Sequence, residues 1–269
     1  EIAFEKAGIM KTGVPTVLAP QPAEALAEFR RIAAERAVPL QEVGDRFRWS
    51  RRAAGPAGQE ITIAGRQGTY DARLPLAGDH QIDNAATAVG VVEALRDGGR
   101  DISDEAVVKG LESVSWPGRL QSFTYESQQV VVDGAHNPDS MGRLVRTLRE
   151  QFAFGQVVVV FGGLSGHSSR GMLEELAVLG PQIVAVRSRH PRSAPSADVA
   201  ALSKELGMPV PFQTDDVGEG VRAAVALAGR EDLVLGTGSL SVVAEVIEEV
   251  EGLEAELYPI ISPPAGQSV

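Results

Sequence analysis

Val130-Val131-Val132-Asp133-Gly134-Ala135-His136-Asn137-Pro138 is the stretch on which the fold turns. An apolar run without polar alternation passes into Asp, Gly, His, Asn and Pro, and a stretch with helical spacing, 140–152, follows. Unalternated β-branched runs suit strands buried on both faces, and proline suits the first turn of a helix. In an open parallel sheet, ligands bind outside the carboxyl ends of the strands. A carboxylate at that edge, Asp133, can accept two hydrogen bonds from a ribose diol, and the N–H groups that open the next helix attract anions. The same residues also fit a plain strand–turn–helix junction, with Asp133 and Asn137 as turn residues.

Outward from this segment, β-branched runs at 157–161, 183–186, 210–213 and 233–235 alternate with Ala/Leu/Glu-rich helical stretches at 171–179, 196–206, 217–227 and 239–250. Strict alternation from Gln129 onward predicts βαβ units, a parallel sheet with helices on both faces. The first part is less regular. A strand at 16–18 precedes a helix at 22–36 with Leu26, Phe29, Ile32 and Ala33 on one face. Residues 40–76 read as short strands and loops, including a strand at 60–63. Helices follow at 84–95, with Asp79 or its neighbours as the cap, and at 104–111, capped by Ser103. Trp116-Pro117-Gly118 marks a domain boundary.

Composition narrows the function. The 269 residues suffice for two ordinary domains, and the longest apolar run, 157–161, is far too short to cross a membrane. Cysteine is absent, which removes disulfides and thiolate metal sites and fits a cytoplasmic protein. The net charge is −11, with basic residues clustered only around 46–52, which argues against a nucleic-acid partner. The first residue is not Met and the chain opens within an amphipathic stretch, so it reads as a fragment.

Several further segments can carry chemistry. In Asp79-His80-Gln81 with Asn84-Ala85-Ala86-Thr87-Ala88, Gln81 and Asn84 share a helix face, and a capped packing helix is the plain alternative. Arg119 follows the boundary, where a guanidinium is placed to grip phosphate, or simply to sit in solvent. Lys6 is one of only four lysines, against 21 arginines, and unlike arginine it can lose its proton and react. Gly236-Thr237-Gly238-Ser239-Leu240 follows a strand and opens a helix, but Ser241 stands where a dinucleotide fingerprint needs Gly or Ala. It reads instead as a small anion site with the Ser239 hydroxyl facing a carboxylate. His167 and His190 read as surface histidines. No G-x-x-x-x-G-K-[ST] occurs in the sequence.

The order of these segments is more informative than any one of them. Glu5-Lys6-Ala7-Gly8-Ile9, Asp79-His80-Gln81 with Asn84-Ala85-Ala86, Trp116-Pro117-Gly118-Arg119-Leu120, Asp133-Gly134-Ala135-His136-Asn137-Pro138, Ser188-Arg189-His190-Pro191-Arg192 and Thr237-Gly238-Ser239-Leu240 resemble, in that order, motifs of folylpolyglutamate/dihydrofolate synthases, a branch of the Mur ligases. The resemblance implies an α/β fold: the C-terminal part of a P-loop-type ATPase domain at 1–115, a linker at 116–120, a Rossmann-like doubly wound Mur-ligase C-terminal domain at 121–252, and a flexible tail at 253–269. It implies an ATP-dependent ligase that joins a folate or dihydropteroate carboxylate to L-glutamate through an acyl phosphate, as a cytoplasmic monomer using ATP and Mg²⁺. Asn84 and Arg119 would contact the nucleotide and Asp133 its ribose. His136, as a catalytic residue, and Ser239 would face glutamate. Lys6 would be a catalytic lysine, carbamylated so as to serve a magnesium ion. Gly166-His167-Ser168 departs from the family's Asp-Lys-Asp run. As a fragment, the chain is expected to be inactive alone. The competing readings are a UDP-sugar-peptide Mur ligase and a non-catalytic nucleotide-binding α/β module.

Overall fold

The computed structural model describes residues 2–165 and 168–256. The chain divides into two compact units, Glu1–Ser115 and Trp116–Val269.

In the first unit, helix α1 (Ile2–Lys6) leads through a 3₁₀ turn at Ala7–Ile9 to strand β1 (Thr16–Leu18), helix α2 (Ala23–Glu35) and strand β2 (Leu40–Glu42), which pairs parallel with β1. The apolar stripe of α2 buries Phe29, Ile32 and Ala33 with Ala7, Met10, Leu18 and Val38. An antiparallel meander follows: β3 (Arg48–Gly55), β4 (Gly58–Ala64) and β5 (Thr69–Leu74). Alternate residues of β4 and β5, namely Ile61, Ile63, Tyr70, Ala72 and Leu74, bury one face of this sheet. Against it lie Ile82, Ala85, Ala86 and Val89 of α3 (Asp79–Asp97) and Val107 and Leu111 of α4 (Asp104–Glu112). Each large apolar side chain so buried contributes about 1.5–3 kcal/mol. Gly58 sits at φ +116°, and a Cβ there would collide with the Leu74 backbone, so only glycine closes the β3–β4 turn.

One expectation about this unit needs correction, the start of α3, whose N-cap residue does lie beside Asp79 as expected. Helix α3 starts at Asp79, five residues before the expected start, and no side chain caps it. Gly78 is the N-cap residue, while Asp79 pairs with Arg51. The cause is tertiary: the Gln59 amide on β4 donates to the carbonyls of Leu76 and Gly78 at 2.9 Å each and pins the entry to the helix. Ser103 does cap α4, accepting from Ala106 N at 3.1 Å.

In the second unit, strands β6 (Gln121–Tyr125) and β7 (Gln128–Val132) form a hairpin whose turn residues, Glu126 and Ser127, both lie at positive φ (48° and 69°). That is the geometry of a type I′ turn, which matches the right-handed twist of the strands. Then come α5 (Pro138–Gln151), β8 (Val157–Phe161), α6 (Ser169–Ala177), β9 (Gln182–Val186), α7 (Ser196–Glu205), β10 (Phe212–Thr214), α8 (Val217–Leu227), β11 (Leu233–Thr237) and α9 (Leu240–Glu251). The six-stranded sheet has the order β10-β9-β8-β11-β7-β6, parallel throughout except for β6. Val130, Val132, Val158, Val160, Val184, Val186 and Val234 face Val217, Val221 and Ala224 of α8 and Val242, Val243 and Val246 of α9. The intervening residues Val131, Val159, Ile183, Ala185 and Leu235 are also fully buried, as are Met141, Leu144 and Leu148 of α5 and Met172, Leu173 and Leu176 of α6. The unalternated valine runs thus follow from burial on both faces.

Residues 253–256 are exposed, and the rest of the expected tail lies outside the described residues, as do Gly166 and His167. Ser168 caps α6, accepting from Gly171 N at 3.2 Å. Among the described residues, no helix is long and apolar enough to cross a membrane.

Candidate functional site

Strands β7 and β8 are consecutive parallel strands, yet β11 lies between them, because the chain runs outward through β9 and β10 before it returns. The carboxyl edge at this reversal is where a doubly wound sheet opens a crevice. Three ties close the strand ends. Asp133 N donates to Gly236 O at 3.0 Å and the Thr237 hydroxyl to Asp133 O at 2.8 Å, while Gly162 N donates to Thr237 O at 3.4 Å.

Asp133 is 7% exposed, and each carboxylate oxygen accepts from a backbone amide. Leu120 N donates to Oδ2 at 3.0 Å and Ala135 N to Oδ1 at 2.9 Å. Burial pushes the carboxyl up to about 6, and the two amides, with the charges of Arg119 and His136, oppose that rise. Leu120 has φ +45°, a conformation that costs a non-glycine residue about 1–2 kcal/mol. The segment before it is held as firmly: Gly134 N donates to Gly118 O at 2.9 Å and Gly118 N to Gln121 Oε1 at 2.9 Å. Half-buried Arg119 therefore sits between two anchored residues. Its Nη1 lies 3.1 Å from where a Cβ on Gly134 would stand, so the guanidinium runs along the bare face of that glycine.

Helix α5 opens beside Asp133. Asn137 is its N-cap: Asn137 Oδ1 accepts from Ser140 N at 2.9 Å, and Ser140 Oγ accepts from the Asn137 and His136 amides. This reciprocal capping box, with Pro138 in the first turn, fixes the loop. His136 is exposed, and its Nδ1 lies 2.9 Å from Gly134 O. A carbonyl only accepts, so the neutral ring carries its proton on Nδ1 and Nε2 is the basic nitrogen.

Ser239 departs from its expected orientation. Its hydroxyl, expected to face a carboxylate, is buried and accepts from Val242 N at 3.2 Å as the N-cap of α9. It also lies 3.0 Å from the Ser241 hydroxyl. Ser241 accepts from Ser188 at 2.9 Å, and Ser188 is in turn bonded to Ser193. Four buried hydroxyls thus join the loop after β9 to the start of α9. Arg189 N adds a bond to the buried Glu245 Oε1 at 2.7 Å. Reading the residues in sequence missed this chain, although the Ser239-x-Ser241 spacing is a signal of it. His190 is half-buried, its Nδ1 accepting from Arg192 N at 3.1 Å, so it is not the plain surface histidine expected.

The structure therefore gathers Arg119, Asp133, His136 and Ser239 at one sheet edge. Lys6 and Asn84 belong to the other unit, on separate elements. Lys6 ends α1, exposed, and α1 leads into the cluster around Ile32. Asn84 is exposed on α3, its Nδ2 3.1 Å from Gln81 Oε1, which confirms the shared face. Among the described residues, no group of three or more His, Cys, Asp or Glu could hold a metal ion. Lys6, even as a carbamate, does not by itself make a magnesium centre.

A model of the family "Mur ligase, glutamate ligase domain" matches residues 118–240. The dihydrofolate synthase/folylpolyglutamate synthase of Bacillus subtilis is 33% identical over 248 residues, which is 91% of this chain and 57% of that protein. Among solved structures, Mycobacterium tuberculosis folylpolyglutamate synthase complexed with ADP superposes with a TM-score of 0.85 at 27% identity, over 95% of this chain and 59% of the other. The UDP-N-acetylmuramoyl-L-alanyl-D-glutamate–2,6-diaminopimelate ligase of Chelativorans sp. is 32% identical over 171 residues, 63% of this chain and 35% of that protein. The chain thus spans 57% of the length of the Bacillus subtilis protein and 35% of that of the Chelativorans protein.

Proposed function

The chain belongs to the folylpolyglutamate/dihydrofolate synthase family of Mur ligases, and from that membership we propose that the protein joins a folate or dihydropteroate carboxylate to L-glutamate at the expense of ATP. The carboxylate attacks the γ-phosphorus of ATP, giving an acyl phosphate and ADP. The glutamate amine then attacks the acyl carbon, phosphate leaves, and the amide forms as the ammonium proton is given up. The arrangement of Arg119, Asp133 and His136 at the carboxyl edge of β7, beside a capped helix start, carries this reading.

Arg119 meets the nucleotide's phosphates, where a guanidinium pairs with two oxygens. Asp133 belongs to the same nucleotide side, and Asn84 is a further nucleotide contact. His136, with Nε2 as its basic nitrogen, takes the proton of the incoming amine. Ser239 supports glutamate binding through the turn that it caps. Lys6 acts as a carbamate in the complete site. The protein works as a cytoplasmic monomer on small molecules, with ATP and Mg²⁺ and without nucleic acid or membrane.

The test is transfer of labelled L-glutamate onto dihydropteroate and tetrahydrofolate, with ATP and Mg²⁺, by the protein that carries this chain. Incorporation that is lost in His136→Ala and Arg119→Ala supports the proposal. Transfer of an amino acid onto a UDP-muramyl peptide instead would place the chain in the other Mur branch. Nucleotide binding without transfer to either acceptor would make it a binding module.

A further inference from the structure

We propose that Glu245, buried on α9, is a positioning residue that clamps the loop after β9 onto the start of α9 and so sets the turn capped by Ser239 before a ligand arrives. The inference rests on the reading that this turn serves glutamate.

Three observations carry it. First, two consecutive loop residues dock on α9 residues one helical turn apart: Ser188 donates to the Ser241 hydroxyl at 2.9 Å, and Arg189 N donates to Glu245 Oε1 at 2.7 Å. The Arg189 guanidinium pairs with Glu248, three residues further along the same face. Second, the loop's other flank is tied to the segment after β8, where Ser165 N donates to Arg192 O at 2.7 Å and Ala194 N to Gly163 O at 3.0 Å. The loop is thus held from β8 on one side and from α9 on the other. Third, Glu245 is 5% exposed, and a buried carboxylate costs stability that an apolar side chain would not. Burial raises its carboxyl, and the Arg189 amide and guanidinium oppose that rise. The amide that it accepts is therefore the reason for an acid at this place. Ser241 also lies 3.0 Å from the hydroxyl of Ser239, the N-cap of α9, so the clamp reaches the turn before α9 through two hydroxyls. A turn held in place beforehand lowers the ordering penalty of binding.

Glu245→Ala leaves the Arg189 amide without its acceptor. Glu245→Gln keeps an accepting oxygen for that amide and removes only the charge. Ser188→Ala cuts the same seam one residue away, with Glu245 intact.

The experiment has two arms. In the first, amide hydrogen exchange of the whole chain is measured without ligand for wild type, Glu245→Ala, Glu245→Gln and Ser188→Ala. The Arg189 and Val242 amides should exchange about tenfold faster in Glu245→Ala and as in wild type in Glu245→Gln, with Val131 and Val159 in the core strands unchanged. In the second, glutamate transfer is followed with the protein that carries this chain. KM for L-glutamate should rise about tenfold in Glu245→Ala, with KM for ATP and kcat within about twofold of wild type, and should recover in Glu245→Gln. If Glu245→Ala speeds exchange in the core strands as well, Ser188→Ala carries the test, through Val242 exchange and the KM for L-glutamate. Val242 exchange unchanged beside a freed Arg189 amide, no rise in the KM for L-glutamate, or an equal rise in both KM values would overturn the positioning role. Exchange as expected, with no glutamate transfer by the wild-type protein, would uphold the clamp and sink the functional reading itself, a separate failure.

Discussion

The Ser188 hydroxyl donates to the Ser241 hydroxyl at 2.9 Å, joining the loop after β9 to the first turn of α9 across 53 residues of sequence. Since Ser188 gives its proton to Ser241, Ser193 must donate to Ser188. Ser241 is thus the link between the loop hydroxyls and the Ser239 cap.

Ser241→Ala removes that link and leaves the buried Ser188 proton without its acceptor. An unsatisfied buried polar group costs about 1–3 kcal/mol, well above the effect of an exposed serine. Urea unfolding should show a loss on that scale. A loss no larger than for a serine substituted on the surface would mean that water replaces the hydroxyl without penalty.

Glu93 plays a comparable part in the first unit. Fully buried on α3, it accepts from the amides of Arg66 and Gln67 at 2.9 and 3.0 Å and from Tyr70 OH at 3.3 Å, holding the β4–β5 turn. Glu93→Ala should destabilise this unit by about 3 kcal/mol, because two amides lose their acceptor together. Trp49, on β3, reports the unfolding by fluorescence. Glu93→Gln keeps one acceptor and should fall between the two; equal losses in both variants would show that the charge matters and not the acceptor count.

Stability should depend on pH through Asp133. Burial raises its carboxyl from 3.8 to about 6 in the folded chain. A raised folded value means that the folded state binds the proton more tightly, so this contribution is complete below about 3.8 and is lost as pH rises through 6. A shift of about two units corresponds to about 3 kcal/mol at most. The stability of wild type relative to Asp133→Asn, measured by denaturant unfolding, should therefore be greater at pH 4 than at pH 7. An equal difference at the two pH values would show that Asp133 is not the titrating group.

Gly220 on α8 lies against Val186 of β9, and a Cβ there would fall well inside van der Waals contact with Val186 Cγ1. The interior is close-packed, so Gly220→Ala should lower stability by about 1–3 kcal/mol despite alanine's better helix propensity. Gly110 on α4 has open space around it, and Gly110→Ala should stabilise its helix. Thermal melts that move both variants in the same direction would contradict the packing of α8 against β9.

The parallel core was legible before any coordinates. Runs such as Val157-Val158-Val159-Val160 carry no polar alternation, and only a strand covered on both faces tolerates that. Legible too was the start of α4, because its cap is local: Ser103 bonds an amide three residues ahead, a contact that needs no distant partner. Arg119, Asp133 and His136 were legible as candidates because each stands beside turn residues at a strand or domain edge. Tertiary structure decided the rest. The β3–β5 meander hid in the sequence because β3 exposes charged residues and buries none completely. The early start of α3 depends on Gln59, nineteen residues before the Gly78 carbonyl that it grips. The hairpin turn at Glu126-Ser127 takes a left-handed path that neither residue announces. The hydrogen-bond partners of Asp133 and Ser239 were decided in the same way. A carboxylate or hydroxyl at a strand end looks equally available in sequence, and only packing decides whether its oxygens face solvent or backbone amides. Leu120 and Ala135 claim one, and Val242 with Ser241 the other.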